Sequence, residues 1–150
     1  MATTLLGALV AMFDGDPSLV AATTDTGGLW VGAIPEDKSA LPIVALLPHD
    51  EVPGWVAPVK TVQEEGNFSL VVYQNGLAAA EYLAGLVKAV FDPKSTRRSG
   101  DLTRVTFTTA VSAWIKRVGY QVRLFEHRTA ESLWVYEITM PYESYVNRRI

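Results

Sequence analysis

The spacing of apolar residues changes period at Gly76. Upstream, Phe68, Leu70 and Val72 alternate with Ser69, Val71 and Tyr73, the period-two signature of a strand with a packed face. Downstream, Leu77, Ala80, Leu83, Leu86, Val87, Val90 and Phe91 recur every three or four residues, a helical stripe wide enough to dock on a sheet. Asn75 is placed to cap this helix and Asp92-Pro93 to stop it. Residues 67–92 therefore predict a buried strand, an Asn-Gly corner and an amphipathic helix, and the rest of the chain is arranged about that unit.

The same rules extend to both ends. Thr3 or Thr4 caps a first helix running to about Phe13, with Leu5, Leu6, Leu9, Val10, Met12 and Phe13 as its apolar face. Asp16 and Pro17 restart a short helical turn, because proline at the first helical position loses no hydrogen bond; Leu19 and Val20 are expected to close it against the core. Residues 23–28 read as a loop, 29–34 (LWVGAI) as a strand ended by Pro35, and 36–39 as an exposed turn. Pro42 should start the strand 43–47 or lie on an edge. Residues 48–58 hold three of the eight prolines and predict a loop carrying Trp55. An early strand segment around 59–65 leads through an irregularity at Gly66 into the central strand.

Beyond the long helix, residues 92–101 (DPKSTRRSGD) carry no apolar anchor and predict a mobile exposed loop. Residues 102–109 alternate, with Val105 and Phe107 on one face, and 110–116 are read as strand. Residues 120–127 and 133–140 predict a hairpin ended by Pro141, with a polar, aromatic tail that is partly free. The expected fold is α+β: a mostly antiparallel β-sheet with two α-helices packed on one face. No internal repeat, low-complexity tract or linker divides residues 1–150, so one domain is expected.

Composition narrows the function classes. With 49% hydrophobic and 19% charged residues in 150, the chain has enough apolar surface for a core; a domain of this size buries about 70% of what its unfolded chain exposes. It contains no cysteine, which excludes disulfides, thiol catalysis and cysteine-ligated zinc. The N-terminal apolar run lacks a basic flank and is too short to span a bilayer, so a soluble, unsecreted domain with no membrane partner is expected. The net charge of −3 conceals an asymmetry, −8 over residues 1–93 and +5 over 94–150. Two halves that neutralise each other in one fold would give this, and so would a protomer that offers unlike faces to its neighbours, the arrangement that closes rings. The basic residues are scattered rather than striped, which argues against nucleic-acid binding.

Catalytic signatures are absent. There is no GxGxxG, Walker loop, GxSxG elbow or HExxH. His49-Asp50-Glu51 aligns metal-ligating residue types, but in a proline-rich segment without a second histidine a solvated loop is the simpler reading. Glu64 and Glu65 are adjacent, so on a strand they point to opposite faces and cannot share a proton. Glu126-His127 reads as part of a cross-strand pair, since no motif places a nucleophile. No catalytic residue, cofactor or metal is called for. Contact residues are the remaining class. Two or three of Trp30, Trp55, Trp114 and Trp134 should be core or half-buried sheet positions, and Trp55, beside Gly54, is the candidate interface aromatic. Arg97 and Arg98 form either a solvated tip or a pair that orders on a partner. Arg148 and Arg149 complete the candidate set.

Taken in order, several fragments carry a family resemblance. They are the opening helix followed by Asp16-Pro17-Ser18-Leu19-Val20, the strand 29–34 ending at Pro35, and Leu41-Pro42-Ile43-Val44. After these come residues 71–91 (VVYQNGLAAAEYLAGLVKAVF) and a hairpin ending in Tyr136-Glu137-Ile138. Together they resemble the tail terminator (tail completion) proteins of long-tailed phages and gene transfer agents. In that family the central strand runs into a polar corner and a helix with small residues early on, as Tyr73-Gln74-Asn75-Gly76 and Ala78-Ala79-Ala80 do. The segment between Val44 and Phe68 is longer than the family leads one to expect. The resemblance implies a structural virion protein, not an enzyme. It would form a homo-hexameric ring on the head-proximal end of the tail tube, stop tube polymerisation and provide the head-docking surface. Its implied partners are its own copies, the tail tube protein and a head-tail connector, with genomic DNA passing through the ring unread. Its implied place is the virion tail, assembled in the host cytoplasm. Other readings are a head-completion or neck adaptor, a minor tail protein, and, from another class, a small-ligand-binding or enzymatic α+β domain.

Overall fold

A computed structural model describes residues 2–34, 41–57, 61–92, 102–110, 112–127 and 133–149, with backbone alone for 49–57, 61–63, 125–127, 133 and 149. Helix α1 spans Leu5–Asp14 and is capped by Thr4, whose Oγ1 accepts from the Gly7 N–H at 3.0 Å. It buries Leu5, Ala8, Leu9 and Phe13. Asp16 and Pro17 then start α2 (Pro17–Thr23) as the sequence predicts, although Asp16 makes no side-chain cap bond. Leu19 is fully buried, whereas Val20 is exposed rather than packed. The predicted loop after α2 is partly a 3-10 turn, Thr24–Thr26, closed by Gly27 and Gly28 at φ +93° and +70°, a region open to glycine at no steric cost.

Among the described residues three α-helices, not two, contribute to the main core, because the turn begun at Pro17 propagates for seven residues. The third, α3, spans Leu77–Phe91 and buries Ala80, Leu83, Ala84, Val87 and Phe91. Its N-cap is Gly76 rather than Asn75, and its C-cap is Asp92. No single helix among the described residues is long and apolar enough to cross a membrane.

The strands are β1 (Leu29–Val31), β2 (Ile43–Ala57), β3 (Thr61–Gln74), β4 (Thr103–Arg104), β5 (Ser112–Arg117), β6 (Gln121–His127) and β7 (Leu133–Arg149). They form one sheet in the order β1-β2-β3-β7-β5-β4, with β6 also paired to β7. The β1·β2 pair is parallel and the other five are antiparallel. Leu46, Leu70, Val72, Ile138, Met140 and Tyr142 meet the helices in the main core. Ile43, Val71, Tyr73 and Val135 form a smaller cluster on the other face.

Several sequence expectations about the strands are corrected here. Residues 48–57, expected as a loop, continue β2. Its register with β3 shifts between Pro48 and Glu51 and again between Pro53 and Val56, each time with one extra residue on β2. These are bulges, which bend a strand without ending it. The described pairing of β2 with β1 covers Val44–Leu46, so both prolines stand on an edge, where a missing N–H is tolerated. The irregularity expected at Gly66 therefore belongs to β2, since β3 pairs with β7 in unbroken register through Gly66↔Ser144.

The predicted strand over 102–109 shortens to two residues, yet Val105 and Phe107 are both buried, as their alternation requires. The strand at 29–34 likewise shortens to three residues.

Pro141 does not end the hairpin. β7 runs through it, 17 residues in all, exchanging its partner from β6, last paired at Thr139, to β5, first paired at Tyr142. Pro141 falls in that gap. Its carbonyl accepts from the Val118 N–H at 2.8 Å, and a strand residue's N–H and C=O point the same way, so its missing donor faces the β5–β6 corner and not β3.

The tail expected to be partly free is consequently interior strand. Tyr142, Ser144 and Val146 are buried, and residues 142–147 pair with both β3 and β5.

Candidate interaction surface

Register places β1 and β6 at opposite ends of one row across the sheet: Leu29, Val44, Val72, Ile138, Val122. The middle three are buried under the helices and Leu29 packs against them, so the whole row faces the helix side. Val31, Leu124 and Tyr136 share that face by the two-residue period. At the β6 end the apolar surface breaks into the open: Val122 is 41%, Leu124 47% and Trp134 55% exposed. Val31 is 40% exposed at the β1 end. Apolar side chains clustered on an edge strand mark an interaction site more than singly scattered ones do.

The opposite face of the β6 end is polar and held together. Glu137 lies between its register partners Tyr73 and Arg123. It accepts from the Tyr73 hydroxyl at 2.8 Å and lies 3.3 Å from Arg123 Nη2. Burial, then the hydrogen bond to the Glu137 carboxylate, pushes the Tyr73 phenol well above its ordinary range.

A second network pins the end of α3. Asp92 accepts from the Tyr142 hydroxyl at 2.6 Å and from Arg117 Nε at 2.8 Å. The Tyr142 ring stacks on Phe68 with centroids 5.2 Å apart. Burial is the main reason the Tyr142 phenol is raised, with the Asp92 hydrogen bond second. Tyr145 donates to Glu143, and that bond is the first cause of its rise to about 12. Burial and the Glu81 carboxylate raise Tyr120, over whose ring Lys88 Nζ sits 4.8 Å from the centroid.

The residues singled out in the sequence are dispersed. Trp55 lies in the second β2 bulge, between Pro53 and Val56; its side chain lies outside the described residues, as do Arg97 and Arg98. The 92–101 loop expectation falls outside them too, apart from Asp92. Arg148 is engaged within the chain. Its Nε is 2.9 Å from Glu64 Oε2, its Nη1 donates to Thr109 Oγ1 at 2.9 Å, and its guanidinium lies 5.7 Å from the Phe107 ring centroid. Arg149 is described in backbone, opposite Thr61. His49 and Glu51 fall on β2, and Glu126 and His127 pair with Trp134 and Leu133. Among the described residues no three His, Asp or Glu side chains gather to hold a metal ion. Trp30 is half-open, with Nε1 donating to Thr26 O at 2.9 Å.

Sequence reasoning missed Val122, Leu124 and Trp134 as surface residues. Alternation marks them as strand positions, but whether a strand is an edge depends on partners far along the chain. A groove of about 450 Å³ between α1, α3 and β4 includes Met12, Val90, Asp16 and Thr103 in its lining. Among the described residues that line it, Asp16 is the one ionisable group, and they supply no converging polar set of the kind a ligand site displays.

The comparisons with known proteins bear on this fold. No protein-family model matches the chain, and no curated protein sequence does. A solved structure does. A chain of the virion of a native gene transfer agent particle superposes with a TM-score of 0.57 at 18% identity, covering 95% of this chain and 94% of that one. This chain has the fold of that virion component.

Proposed function

We propose that the protein is a structural component of a phage-like or gene transfer agent virion, and specifically a tail terminator. In this reading its copies ring the head-proximal end of the tail tube, stop tube growth and present the surface that docks the head. What supports it is the end-to-end likeness to a gene transfer agent virion chain, joined to the order of fragments in the sequence. The exposed apolar edges fit a subunit that completes its surface by assembly. The proposed contact residues are Trp55, Arg97, Arg98, Arg148 and Arg149, meeting neighbouring copies, the tube protein or the connector.

The test is the distribution of tail lengths, by negative-stain electron microscopy, in particles produced with this gene disrupted. Overlong tails without heads are the expected outcome. Normal tails on normal heads would refute the reading, and normal tails beside unjoined heads that carry a ring of this protein in the wild type would reassign it to the neck.

A further inference from the structure

The two ends of the sheet are complementary in direction and face. β1 runs parallel to β2, and three antiparallel pairings then separate β2 from β6, so β6 runs opposite to β1. A second copy set beside the first without being turned over thus brings its β1 to β6 as an antiparallel neighbour. Helix-side face meets helix-side face at that junction. Val31 of one copy comes to the same side as Val122 and Leu124 of the other, all three between 40% and 47% exposed. Cross-strand pairs of this kind are the units that stabilise a sheet.

A two-fold pairing of β6 with β6, or of β1 with β1, closes at two copies, whereas β6 with β1 leaves one free edge at each end and continues from copy to copy. On β6, Val122 and Leu124 are exposed and no proline interrupts the strand, so a partner strand can pair along it.

We propose that β6 of one copy takes β1 of the next copy as an antiparallel partner, continuing the sheet from protomer to protomer. Such a contact is head-to-tail, so a fixed rotation between copies closes it into a ring. The edge pairing stands on strand direction, register and exposure; its preference over two-fold pairing and its closure into a ring rest on the function proposed above.

The absence of native cysteine makes the test direct. Cysteines on facing strands lie within disulfide reach. Val31→Cys is combined in turn with Val122→Cys and with Leu124→Cys, in particles and in the purified chain, and oxidised with copper-phenanthroline. The expected result is a ladder of dimer, trimer and higher species from one of the double variants, and monomer from each single variant. Dimers from Val122→Cys or Leu124→Cys alone overturn the proposal in favour of two-fold pairing. Rings present in particles but not cross-linked in either double variant overturn the edge assignment and leave the ring standing. A chain absent from particles and monomeric after oxidation removes both.

Leu124→Lys gives an independent reading that does not depend on disulfide geometry. It should melt with the wild-type monomer while assembling at least tenfold less. Unchanged assembly overturns the proposal.

Discussion

A methyl group built on Gly119 would come within 2.9 Å of Pro141 Cγ and 3.3 Å of its Cδ. The two residues stand where β7 exchanges partners, and the corner between β5 and β6 is held to Pro141 by the Val118 hydrogen bond. Glycine is needed there for space, not for an unusual backbone angle. Gly119→Ala should destabilise the chain by about 1–3 kcal/mol through overpacking against a ring that cannot swing aside. Adding Pro141→Ala should recover part of the loss, with a coupling of at least ~0.5 kcal/mol. Urea denaturation of the four chains of that cycle measures it, and simple additivity would refute the contact.

Tyr142 predicts an alkaline limit. Its phenol is held neutral by burial and by the bond to Asp92. An acid raised above its ordinary value of 10 contributes stability that is fully present below that pH and is lost as pH climbs toward the folded value. The urea midpoint should therefore fall steadily above pH 10. Tyr142→Phe should lower stability at pH 7 by about 1.5–3 kcal/mol, the range for a hydrogen bond to a charged group, and should flatten the alkaline decline. In the absorbance titration of the intact fold, Tyr145 should ionise near 12, with Tyr142 and Tyr73 ionising only as the fold is lost.

Local signals in the sequence placed most of the helix ends, although α2 runs longer than the short turn expected and α3 is capped by Gly76 and not Asn75. The Thr4 cap, the Pro17 start and the stripe ending at Phe91 each act within a few residues, and the structure follows all three. Strand ends were harder because proline is ambiguous without its neighbours. Pro48, Pro53 and Pro141 read as stops, yet two stand at edge bulges and one where a strand changes partner. Tyr142, Ser144 and Val146 alternate with Glu143, Tyr145 and Asn147, so the periodicity of the tail was present; its polarity concealed it. The exposed β6 edge had no local signal, since what leaves its other side open is that, among the described residues, β6 pairs with β7 alone.

Neighbouring residues on α3 test which face is inside. Leu83 is 3% exposed and Tyr82 is 71% exposed. Leu83→Ala removes packed volume from beneath the helix and should cost about 2–5 kcal/mol. Tyr82→Ala, on the solvent side, should change stability by less than ~0.5 kcal/mol. Equal losses in thermal or urea unfolding would contradict the helix orientation.

Arg148 offers a way to separate folding from assembly. Its pair with Glu64 is about 30% exposed on both sides, so solvent screening limits its worth to about 0.2–1 kcal/mol. Arg148→Glu sets two carboxylates together and should lower monomer stability by a similar amount. Adding Glu64→Arg restores an opposite pair and should return the urea midpoint to near wild type. Assembly should respond differently if Arg148 also meets a neighbour, as proposed, because that neighbour then faces the wrong sign at position 148. The expected result is a swapped chain that folds normally and is still poorly incorporated into particles. Full recovery of both stability and incorporation would confine Arg148 to its own chain and remove it from the contact set.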